Sequence, residues 1–201
     1  MSLPIEDFGG RVATVWSELR PATRGLVESA LRNLPAPARN LPYDSRADNE
    51  LSRLLTALDE RAQEADKLEL EKGKQLRHVA ETCAAVLQEK TRSAEVFAQL
   101  VKRADSQRDY KRIDALADAL TRFAPSEICE LARSQDVVVR ALASETLAQI
   151  PTSVLIGLLS DPVDSEIARD ALHRQATEFG SEEARQIMGA LDQMNLNPDD
   201  L

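Results

Sequence analysis

Few residues of this chain are of a type and spacing that could do chemistry. Its two histidines, His78 and His173, are far apart, and neither is followed by the glutamate of a paired His-Glu step on a helix. A metal ion needs several ligands converging on one point, which these positions do not supply. Cys83 lies five residues from His78, off the three- and four-residue steps that bring side chains onto one helical face. Without such a neighbour a thiol has no base to activate it. Gly9-Gly10 stands alone, with no GxGxxG or Walker pattern around it. The carboxylate pairs Glu182-Glu183 and Asp199-Asp200 fall in charged surroundings and read as solvated. Cys83 and Cys129 are too few and too distant for a disulfide framework, and both sit at apolar helical positions, as core residues do. No catalytic, cofactor-binding or metal-binding residue is assigned, no cofactor is expected, and the expected protein is not an enzyme.

The composition turns attention from chemistry to surface. Hydrophobic residues make up 43% and charged residues 29%, as in ordinary globular chains. Aromatic residues are only 3%, so the core must be built from Ala, Leu, Val and Ile. That favours closely approaching helices over strands, which draw on aromatic and β-branched residues. The net charge is −9, and residues 151–201 hold ten acids against three bases. Such an end repels nucleic acid and anionic membrane surfaces, so the expected partner is a basic or neutral protein. The series Arg103, Arg108, Lys111, Arg112, Arg122, Arg133 and Arg140 is interleaved with Asp105, Asp109, Asp114 and Asp118 and lacks stacking aromatics, so no nucleic-acid groove is expected. With neither a basic-then-apolar start nor a long apolar run, a cytoplasmic protein is the expectation.

Hydrophobic spacing supplies the elements. Val12, Val15, Trp16 and Leu19 form one helical stripe and Leu26, Val27, Ala30, Leu31 and Leu34 the next, within a segment 1–34. Trp16 belongs to that stripe as a core residue, with partner contact as its alternative role. Prolines crowd 35–43, a linker and candidate boundary. Residues 44–92 predict a long helical arm. Its seam, Leu51, Leu55, Leu58, Ala62 and Ala65, could dimerise through 45–72, and a break is expected near Gly73. Residues 196–201 read as a frayed tail.

From about 93 to 195 the chain repeats a short helix, a polar corner and a longer helix, with Pro125 and Pro151 marking two starts. Asp136 is placed to cap a helix carrying Val138, Leu142, Ala143, Thr146, Leu147 and Ile150 inward, and Thr152 to cap the next. Ile167, Ala168, Ala171, Leu172 and Phe179 are the expected inward set of a following helix, which Gly180 ends.

Leu131, Asp136, Val139-Arg140 and the ladder Ala143, Leu147, Ile150 resemble one HEAT-type repeat. Leu158-Leu159-Ser160-Asp161-Pro162 with Ile167 and Arg169 resembles the next, after a small insertion. The resemblance implies an all-α chain whose C-terminal part is a short α-solenoid of HEAT-like helical hairpins, with an N-terminal helical extension. It implies structural corner roles for Asp136, Arg140, Asp161 and Arg169. The expected function is a protein-interaction scaffold, with Trp16, Arg112 and Arg133 as possible partner contacts. A HEAT-like enzyme or lyase-type chaperone with a ligand pocket, and a homodimerising helical protein, are the alternatives.

Overall fold

A computed structural model of the protein describes residues 5–32, 43–64 and 70–196. The prolines of the expected linker and the tail beyond Leu196 lie outside the described residues. Among the described residues the fold is all-α, with eleven α-helices and no strand. The chain forms two compact units, Met1–Leu100 and Val101–Leu201, and the division falls inside one helix.

In the first unit a 3-10 turn (Ile5–Phe8) precedes α1 (Gly10–Glu18) and α2 (Pro21–Leu31). Then come α3 (Ser45–Gln63), α4 (Leu70–Lys90) and the start of α5 (Ala94–Ser106). Asp44 starts α3 by accepting a hydrogen bond from the Ala47 N–H at 2.8 Å, so one orphan donor of the first turn is satisfied. Leu51, Leu54, Leu55 and Leu58 of α3 are fully buried, and α3 packs against both α4 and α1. Leu76, Val79, Cys83 and Leu87 of α4 are equally buried, while Val12 and Trp16 of α1 and Leu26 and Val27 of α2 complete the core. Trp16 is thus a core residue, 6% exposed.

The segment read as an arm therefore shares one core with residues 5–32, and the compact unit continues past the proline-rich stretch. The physical reason is area. Each leucine of the seam gains about 1.5–3 kcal/mol when covered, and α1 and α4 cover them within the same chain. A dimeric seam through these leucines would have to strip those helices away.

The helical interruption expected near Gly73 falls earlier, since α3 closes at Gln63 and α4 runs unbroken through Gly73. A Cβ at Gly73 would meet only the Arg77 guanidinium, at 3.9 Å. One glycine inside a helix costs about 1 kcal/mol relative to alanine, which the packing of Leu76, Val79, Cys83 and Leu87 outweighs.

Arg20, at the start of α2, ties that helix to α3. Its guanidinium donates to both Asp44 carboxylate oxygens, at 2.9 and 2.6 Å, and through Nε to Glu50 at 2.9 Å. The bidentate fork fixes an angle as well as a distance. It also holds the Asp44 carboxyl well below the usual carboxylate range.

The second unit holds the end of α5, then α6 (Tyr110–Leu120), α7 (Pro125–Ala132), α8 (Val137–Leu147), α9 (Thr152–Leu158), α10 (Ser165–Thr177) and α11 (Glu182–Leu196). α7 packs on α8 and α9 on α10 as consecutive pairs. α8 also touches α6 and α10, and α11 lies on α10. The core is aliphatic and small, with Ile128, Leu131, Val139, Ala143, Leu147, Leu155, Ala168 and Leu172 all at 3% exposure or less.

Three expectations shift here. Val139, and not Val138, is the buried valine of α8, because the helix starts at Val137 and its inward stripe runs Val139, Ala143, Leu147. Thr152 is not the cap of α9. That position is Pro151, and the buried Thr152 hydroxyl bonds to Gln175 Oε1 at 3.0 Å instead. Phe179 does not face inward and is 52% exposed. It lies past the end of α10, where Gly180 adopts φ +67° and the Ser181 N–H returns to the Gln175 carbonyl at 2.9 Å. A side chain there would be strained, which is why a glycine closes the turn.

Two predictions follow from this packing. Gly73→Ala should raise the unfolding free energy by about 0.5–1 kcal/mol in urea titration, since the site has room and the helix gains propensity. The second concerns pH. Because the folded state lowers the Asp44 value, its contact adds stability above the ordinary value of 3.8 and loses it as pH falls below. The thermal midpoint of the native chain should therefore drop more steeply between about pH 5 and about pH 2 than that of Asp44→Asn. Asparagine keeps the cap but not the ion pair.

Candidate functional site

Three corners of the second unit carry exposed large apolar side chains, in addition to Ile156 on α9 and Phe179 past α10. Each corner is built around an aspartate. Asp109 starts α6 by accepting from the Arg112 N–H at 3.1 Å, and Arg108 just before it takes a left-handed φ of 55° to make the turn. Asp136 starts α8 by accepting from the N–H groups of Val138 and Val139, both at 3.0 Å. Arg140 folds back and donates to the Ser134 carbonyl at 2.6 Å, so the Asp136–Arg140 pair is corner structure. The third corner is longer. Asp161 accepts from the Val163 N–H at 2.8 Å, and its carbonyl receives the Ser165 N–H at 2.9 Å.

Arg133 joins the second corner to the third. It donates to Asp164 Oδ1 at 2.6 Å and to the Val163 carbonyl at 3.2 Å. Asp164 is 4% exposed, so this carboxylate depends on its guanidinium partner. Arg112 is half-buried in the first turn of α6. Arg169 stands exposed on α10 with no hydrogen bond or ion pair among the described residues, unlike Arg140 on α8.

At the first two corners the residue after the capping aspartate faces away from the core. Tyr110 follows Asp109 and is 66% exposed; Val137 follows Asp136 and is 68% exposed. Val163, in the third corner, is 65% exposed. Tyr110 and Val137 thus hold the same place, first in a helix after its capping aspartate, whereas Val163 directly precedes Asp164 at the start of α10; the three are spaced at intervals of 27 and 26 residues. Sequence reasoning missed them, although the pattern of a capping Asp followed by a large apolar residue was visible in Asp109-Tyr110 and Asp136-Val137.

A groove of about 380 Å³ lies between α8 and α10, with Arg140, Ser144, Leu147, Ile167, Asp170 and His173 among its lining residues. Its size falls in the range of small-molecule sites. Arg174 at its edge is fully engaged, donating to the Ser144 carbonyl at 3.0 Å and pairing with Glu145 and Glu178 at 2.9 and 2.8 Å. Its guanidinium holds both glutamates below their usual range. Ser144, Asp170 and His173 are the residue types of a catalytic triad, yet no hydrogen bond joins Ser144 to His173. The hydroxyl lacks the base contact that would activate it. His78 is exposed on α4, and no group of three or more metal-ligating side chains occurs among the described residues. Cys83 and Cys129 are fully buried, and burial pushes the Cys129 thiol up to about 11. Among the described residues no single helix is long and apolar enough to cross a membrane.

Removing Arg133 exposes the cost of a stranded carboxylate. Arg133→Ala should lower the unfolding free energy by about 1–3 kcal/mol, and adding Asp164→Asn to it should restore part of that loss. Urea unfolding of both variants measures the difference.

No protein-family model matches the chain, and neither a curated protein nor a solved structure matches it.

Proposed function

We propose that the protein is a non-enzymatic scaffold whose C-terminal helical hairpins form a short HEAT-like α-solenoid and bind a protein partner. The observation that carries this reading is the corner row, Tyr110, Val137 and Val163, each about two-thirds exposed. Isolated exposed apolar residues are ordinary, but a regularly spaced series at three helix-joining corners forms a patterned surface. Covering each side chain would contribute about 1.5–3 kcal/mol. α6 packs on α8 and α8 on α10, and packed helices lie about 8–10 Å apart. The Arg133 contact brings the corners of Val137 and Val163 together directly. A partner segment with apolar side chains at a matching interval would engage all three. The corner acids and bases nearly balance, so the row selects by shape and apolar contact more than by charge.

The test compares the full chain with the triple variant Tyr110→Ser/Val137→Ser/Val163→Ser, all at exposed positions, in capture from the native host's lysate. The expected result is a protein held by the native chain and lost from the variant. Equal capture by both would remove the row from the binding surface, and capture of nothing by either would count against the scaffold reading.

A further inference from the structure

We propose that α11 carries a second docking site, which takes a basic amphipathic helix. The apolar residues of α11 fall at Ala184, Ile187, Met188 and Leu191, the i, i+3, i+4, i+7 spacing of one helical stripe. α11 packs on α10. Of the four residues only Ala184 is buried, while Ile187, Met188 and Leu191 remain half-buried. On α10 the corresponding stripe, Ala168, Ala171, Leu172 and Ala176, is buried throughout. α10 therefore covers the α11 stripe only in part and leaves the rest of it open.

Charge decides what fits the open part. Glu183 and Asp192 are exposed at the borders of the stripe, and the helix's one base, Arg185, is paired with Glu182. Residues 151–201 carry ten acids and three bases, and one of those bases, Arg174, is held by Glu145 and Glu178. No lysine follows Lys111 anywhere in the chain. A second copy docking through α11 would set Glu183 and Asp192 against their own kind, and like charges across an interface cost several kcal/mol. Nucleic acid and anionic membrane are repelled for the same reason. A helix with leucines on one face and lysines beside them matches both the stripe and its acidic border. It would also pack on α11 by the ridge-and-groove fit that pairs the preceding helices. The site uses none of the corner side chains, so it stands or falls apart from the corner row.

The experiment is fluorescence anisotropy of the full chain with a labelled peptide of two Leu/Lys heptads, and with its Leu/Glu counterpart. The Lys peptide should bind at least about tenfold more tightly than the Glu peptide, and added salt should weaken it. Met188→Glu should weaken it about tenfold, and so should the exposed charge reversal Glu183→Lys/Asp192→Lys. Should circular dichroism show Met188→Glu to be unfolded, the charge reversal decides alone. Equal binding of the two peptides overturns the proposal, as does undiminished binding by the charge reversal. Binding lost in the Tyr110→Ser/Val137→Ser/Val163→Ser variant would place the peptide on the corner row and overturn it equally. Retained binding there keeps this site distinct even if the corner row binds nothing.

Discussion

The first helix of each short–long pair in the second unit, α7 and α9, is too short to stand alone, and the packing of that unit depends on this. α7 has eight residues and α9 seven, whereas an isolated helix below about 12–15 residues is marginal in water. Each is held by the burial of its apolar stripe against a neighbour. Small residues make the approach close enough, with Ala143 and Ala168 at zero exposure beside Leu147 and Leu172. Close contact of this kind suits a chain with few aromatics, because dispersion accumulates over many short contacts.

Polar contacts then decide which helix lies beside which. Gln175 is buried and satisfied at both ends, donating to the Ile150 carbonyl at 2.7 Å and accepting from Thr152. Arg174 reaches from α10 to the end of α8, and Arg133 from one corner to the next. Exposed ion pairs contribute little energy, about 0–1 kcal/mol, so the register these contacts specify matters more than their strength. In the first unit Arg20 has the same role, since it fixes where α2 meets α3. An aliphatic core by itself tolerates sliding, and these hydrogen bonds remove that freedom.

The same corners that end one helix and start the next create the exposed surface. Asp109 and Asp136 each accept from N–H groups of the first turn, and the residue after each, Tyr110 or Val137, faces outward. At Tyr110 and Val137 the exposed apolar side chain therefore accompanies the cap, without any loss from the core. The α8–α10 groove has the buried Leu147 and Ala171 in its lining.

Periodicity, prolines and capping residues made the all-α class, the two short-helix–corner–long-helix pairs and the left-handed Gly180 legible in the sequence. These are local properties: a stripe at steps of three and four, a cap one turn away, a glycine where φ must be positive. Asp136 and Arg140 were legible as corner residues for the same reason, since their partners lie within six residues. Tertiary structure alone decided what covers each stripe. The leucines of α3 looked like a seam for another copy, and α1 and α4 of the same chain cover them. A stripe reveals which side is apolar but not its occupant, and its phase can slip by one residue, as Val138 and Val139 did. Arg133 and Asp164 lie 31 residues apart, and only the packing of α7 and α8 against α10 brings that guanidinium to its buried carboxylate.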